Sequence, residues 1–161
     1  MNHFVLEKFF EHNDWANRRL IERVTELSDE QLESKPQPGS EWSIRFTLTH
    51  LVEAQANYVG ILTSPPESRE PASVSWSELT ASADRSGAKL LEIARAETGA
   101  SEPARSSDGY VFDRWVVLVQ AVNHANDHRR QLCKMLEAIG VTPPRLDGWG
   151  FGEASGVLRK E

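Results

Sequence analysis

A single cysteine, Cys133, in a chain of 161 residues leaves no internal disulfide to build a framework on, and it agrees with a reducing compartment. Basic residues are outnumbered, 18 Lys and Arg against 24 Asp and Glu, for a formal charge of -6. That balance argues against a nucleic-acid partner, whose phosphates call for clustered cations. No run approaches about 18 uninterrupted apolar residues, so no segment is expected to span a membrane. The chain opens without a basic segment, apolar stretch and cleavage site, and the expected location is cytoplasmic. Strand-like alternation and internal repeats are missing as well.

What is present is ordinary globular material. A hydrophobic fraction of 39% with 26% charged residues is enough to build a core, and the length fits one domain over residues 1–161. Leu6, Phe9, Asn13, Ala16, Leu20, Val24 and Leu27 recur at three- and four-residue steps, which predicts a first long helix from Phe4 to Leu27. Ser28-Asp29-Glu30-Gln31 has the form of a capping box for a short turn, and Pro36, Pro38 and Gly39 then break the chain. Ser43 can cap a second long helix carrying Ile44, Leu48, Leu51, Val52, Val59 and Leu62, which ends before Pro65-Pro66.

Ser75-Trp76-Ser77-Glu78 repeats the capping-box pattern ahead of Leu79, Ala83, Leu90 and Ala94, a third helix that Gly87 should weaken. Residues 98–109 read as a surface loop. From about Asp113 a fourth helix carries Trp115, Leu118, Val122, Ala125, Leu132, Leu136 and Ile139, stopped by Gly140 and Pro143-Pro144. The glycine-rich stretch 147–152 has no assignable conformation, and without a helix pattern after it, it is no phosphate-binding loop. The pair Arg129-Arg130 reads as a structural complement to a helix dipole. The fold class is therefore all-α, a four-helix bundle. Its connections leave an up-down-down-up order as open as simple up-and-down.

His124-Ala125-Asn126-Asp127-His128 places two imidazoles one turn apart on one helix face. Such a pair also arises as surface or hydrogen-bonded core histidines, and it lacks the glutamate that follows the first histidine of HExxH zinc proteases. A stable zinc site wants a third ligand. His50, on a helix with a wide buried arc, can supply it across a cleft, and three neutral imidazoles leave at least one coordination position open. Glu53 shares the face of His50 and reads either as a solvated carboxylate or as a supporting partner or general base. Asp127 points away from the pair, and Cys133 belongs to the apolar side. Trp15, Trp42 and Trp115 read as core or cleft-wall residues. His12 reads as a half-buried polar residue, His3 has no expected role, and Tyr58 could line the pocket.

His12-Asn13-Asp14-Trp15-Ala16-Asn17, Trp42-Ser43-Ile44 leading to Thr47-Leu48-Thr49-His50-Leu51, and His124-Ala125-Asn126-Asp127-His128 together resemble the DinB-like (DinB/YfiT) family, in the right order and over nearly the whole chain. The resemblance implies a four-helix bundle with one long crossover, a divalent ion such as zinc or nickel on His50, His124 and His128, and frequently a homodimer. It also implies a small-molecule substrate. Characterised relatives include bacillithiol S-transferases and mycothiol-dependent maleylpyruvate isomerase, so a low-molecular-weight thiol is an expected cofactor, while other members carry a hydrolase assignment. The expected function is a metal-dependent S-transferase, isomerase or hydrolase, with Glu53 the base that hydrolysis would need. The alternative is a non-catalytic, metal-stabilised dimeric binding or stress-response protein.

Overall fold

The computed structural model describes residues 4–97 and 101–160. Among these lie four long helices, Phe4–Thr25 (α1), Ile44–Thr63 (α3), Leu79–Ala96 (α4) and Arg114–Ala138 (α5), and two short ones, Asp29–Glu33 (α2) and Gly148–Ala154 (α6). Ser28 closes a true capping box on α2, its hydroxyl taking the Gln31 N–H while the Gln31 side chain takes the Ser28 N–H. Ser43 caps α3 through the Phe46 N–H at 3.1 Å. The expected box at Ser75 does not form. The Ser75 hydroxyl turns to the Glu78 carboxylate at 2.8 Å, and Trp76–Glu78 makes a 3-10 turn leading into α4.

Two apolar clusters fix the direction of the helices. One joins Leu20 and Val24 of α1, Ile44 and Leu48 of α3, Leu79 and Ala83 of α4, and Leu132 and Leu136 of α5. The other joins Phe10 of α1, Leu62 of α3, Leu90 and Ala94 of α4, and Val117 and Leu118 of α5. The late part of α1 thus lies level with the start of α3, the start of α4 and the end of α5, which is an up-down-down-up bundle. In it α1 packs chiefly on α4, and α3 on α5 and α4.

Because α3 and α4 are parallel, the chain between them must travel back along the bundle. That crossover is fastened to α3: Glu53 Oε1 accepts the Val74 N–H at 2.9 Å, Asn57 Oδ1 accepts the Ala72 N–H at 2.8 Å, and Arg69 donates to the Ser64 carbonyl at 2.8 Å and the Ile61 carbonyl at 3.1 Å. These bonds satisfy a segment with little regular structure of its own.

Between the apolar clusters runs a polar layer drawn from all four long helices. The buried Arg129 guanidinium of α5 donates to Asn17 Oδ1 at 2.6 Å and Asn13 Oδ1 at 2.8 Å on α1, and to Asn126 Oδ1 on its own helix. Asn17 donates to Gln55 Oε1 of α3 at 2.8 Å, and Gln55 donates to Ser86 Oγ of α4 at 2.8 Å. Arg129 is therefore structural but not a dipole complement, since it lies well inside α5 and is held by amide oxygens. The same layer corrects the stripe on α1. Phe9 is 56% exposed and Phe10 takes the core position, in phase with buried Asn13 and Asn17.

Gly87 is where α1 and α4 meet closely, for a Cβ there would stand 2.2 Å from Asp14 Oδ1. Trp115, expected in the core or cleft wall, is 55% exposed because its phase on α5 turns it away from buried Val117 and Leu118; its indole donates to Asp113 at 3.2 Å. The expected loop at 98–109 contains the first strand of an antiparallel pair, Ala104–Arg105 (β1) with Val111–Phe112 (β2), in the register Ala104 to Phe112. Two-residue strands are too short to show alternation. The glycine-rich stretch becomes α6, capped by Asp147 on the Gly150 N–H at 2.7 Å and seated on α1 through Phe151 against Trp15, with ring centroids 5.5 Å apart.

Candidate metal centre

The Ser43 cap starts α3 so that His50 falls on its second turn, facing α5. The inward pull of Arg129 sets the rotation of α5 and turns the preceding His128, with His124 one turn earlier, toward α3. The His124 and His128 ring centroids are 4.4 Å apart, and those of His50 lie 5.2 Å from His124 and 4.8 Å from His128. One ligand nitrogen from each ring can be chosen so that all lie within 4.8 Å of one another.

These residues fit a divalent ion. Metal–nitrogen bonds of about 2.0–2.1 Å in a tetrahedral site put two ligand nitrogens about 3.3 Å apart, and His50 Nε2 stands 3.3 Å from His124 Nε2. Two of the three rings are biased toward the neutral form. Burial and the nearby His128 push His124 down to about 4, and His50 is lowered by burial and by His128 against the opposing pull of Glu53. Neutral imidazole is the ligating form. Among the described residues three protein ligands converge, which leaves room for a further one.

The surround is largely aromatic. Trp42 lies face to face with His128 at 5.7 Å and 16°, and edge-on to His50 at 5.0 Å. Phe46, 50% exposed, stacks beside His50, and Tyr58 meets His124 edge-on at 5.8 Å. Trp42 is thus a wall of the site, and Tyr58 reaches it. Sequence reasoning missed Gln131, whose Oε1 lies 2.9 Å from His128 Nδ1, and Gln37, which accepts from Gln131 Nε2 at 3.0 Å. The only signal for Gln131 was its place three residues past His128, and a glutamine at that spacing is common on any helix.

The remaining candidates stand apart. The Glu53 carboxylate holds the crossover at Val74 and is near enough to His50 to act on it electrostatically. Asp127 is exposed and outside the trio, though its charge reaches His124. His12 is half-buried at the α6 junction, with Nε2 2.8 Å from the Leu146 carbonyl oxygen. Cys133 packs against the first apolar cluster, and burial raises its thiol. His3 lies outside the described residues.

Comparison with known proteins agrees with this architecture. The model of the DinB family matches residues 1–156. No curated protein matches the chain. Among solved structures, a protein from Exiguobacterium sibiricum described as a candidate member of the DinB family superposes with a TM-score of 0.70 at 17% identity, over 90% of this chain and 97% of that one. Likeness at that identity speaks for the fold alone.

Proposed function

The chain belongs to the DinB family, and we propose that it is a metal-dependent enzyme whose ion, zinc or nickel, is held by His50, His124 and His128. The observation that carries the reading is the convergence of three imidazoles within 4.8 Å with no carboxylate in the group. A divalent ion on such a neutral donor set would keep its full charge and, with a position open, would lower the pKa of a thiol or water placed there toward neutrality.

Of the two chemistries, thiol transfer to a small electrophile fits the residues better. Hydrolysis calls for a general base within hydrogen-bond reach of the attacking water, and the Glu53 carboxylate already holds the Val74 N–H. A thiolate is its own nucleophile and calls for no such base. Trp42, Phe46 and Tyr58 offer an apolar rim that excludes water and orients the electrophile. A low-molecular-weight thiol is the proposed cofactor, a reducing cytoplasm the proposed setting and a homodimer the proposed assembly.

Metal per chain, measured by elemental mass spectrometry on tag-free wild type, His50→Ala and His124→Ala, is the first test. Near-stoichiometric zinc or nickel lost in both variants is expected, followed by turnover with thiol and electrophile that survives Glu53→Gln. Turnover of an ester or amide abolished by a folded Glu53→Gln would move hydrolysis to first place. Protein that takes up no metal on titration overturns the enzymatic reading and leaves a non-catalytic bundle.

A further inference from the structure

We infer that Gln131 is the positioning residue of the histidine centre, and that Gln37 ties it to the loop leading into α3; the inference rests on the metal reading above. A neutral imidazole that offers Nε2 to an ion carries its proton on Nδ1, so whatever meets Nδ1 must accept. Gln131 Oε1 stands 2.9 Å from His128 Nδ1. Its amide nitrogen is committed to Gln37 Oε1 at 3.0 Å, and that commitment turns the carboxamide so that oxygen, not nitrogen, faces the ring.

His128 is the one member of the trio whose second ring nitrogen has a hydrogen-bond partner among the described residues. It is also the ring that Trp42 covers face to face. Both restraints come from the same short segment, since Gln37 and Trp42 flank the left-handed Gly39 in the loop before α3. The loop therefore grips the ligand by its edge through Gln131 and by its face through Trp42. His128 is presented to the ion already oriented, while His50 and His124 close on it from the helix walls.

Zinc affinity of the full-length, ion-free protein, read by competition with a chelating dye, separates this role from simple packing. Gln131→Leu is expected to weaken zinc binding by about 10- to 100-fold, while its ion-free melting temperature stays within a few degrees of wild type. Gln131→Glu, which keeps an acceptor oxygen, is expected to retain wild-type affinity or better, and Gln37→Leu to fall between. Wild-type affinity in Gln131→Leu overturns the inference and leaves the metal reading standing, as does an equal loss in Gln131→Glu. Absence of zinc binding by wild type overturns both.

Discussion

Replacing Arg129 by methionine tests the polar layer most directly. The guanidinium is 3% exposed and meets only amide oxygens, and burial pulls it down to about 10, so it is still charged at neutral pH. Methionine removes the cost of burying a cation, which by itself would stabilise. It also strands Asn13 Oδ1 and Asn17 Oδ1 on residues only 2% and 4% exposed, where water cannot replace the lost donor. Each of the two orphaned acceptors costs about 1–3 kcal/mol, about 2–6 kcal/mol together, and the relieved desolvation offsets part of that. For a domain of this size, about 2–4 °C of melting temperature per kcal/mol turns the cost of the orphans into a fall of roughly 4–24 °C before that offset, and a net fall is expected. Differential scanning calorimetry with a denaturant titration reads it, and Asn13→Ala in the same background gives the coupling energy. A variant that melts at or above wild type with unchanged helix content would refute the claim that the layer holds the four helices together.

Two further outcomes follow from the same contacts. Gly87→Ala should lower stability although alanine is the better helix former by about 1 kcal/mol, because its Cβ would sit 2.2 Å from the Asp14 carboxylate; a raised melting temperature would show that the α1–α4 approach relaxes freely. His124 is held at about 4 in the folded chain against an ordinary 6.5, so on acidification the unfolded state takes up the proton first. Stability of the ion-free protein should then fall from pH 6.5 down toward 4 and gain nothing from this group above 6.5. The lowered carboxyls of Glu7, Glu41 and Asp147 contribute in the same direction, so the comparison is with His124→Gln, whose denaturant midpoint should vary less steeply over that window; identical slopes would remove His124 from the account.

Much of this was legible in the sequence because the signals were periodic or tied to one motif. The four long helices followed from apolar steps and from the Pro and Gly breaks, and the histidine pair followed from helical spacing alone. His50 is less obvious, since nothing local distinguishes it from a buried-arc histidine until α5 is known to lie opposite. What escaped shares one cause: the polar core. Asn13 and Asn17 occupy inward positions on α1, so an apolar stripe drawn through Phe9 seemed as good as one drawn through Phe10, and the choice depended on a partner more than a hundred residues away. Arg129 was misread for the same reason. Gly87 looked like a weak point by propensity, and in the fold the Asp14 carboxylate of α1 lies where its Cβ would stand.

The order of the helices bears on the site in a way that the count of helices does not. In an up-down-down-up bundle α3 and α5 are antiparallel neighbours, so the start of one lies beside the end of the other, and a loop entering α3 comes within reach of residues past the middle of α5. That is how Gln37 and Trp42, which precede the helix carrying His50, come to rest on His128 and its neighbour Gln131. The parallel pair α3 and α4 requires the long crossover, and the crossover occupies Glu53. The topology that brings three imidazoles and an orienting loop together thus also sets a Glu53 oxygen to holding the crossover. On the function proposed above, a thiol, which becomes a nucleophile by losing its own proton, is the reactant to test first.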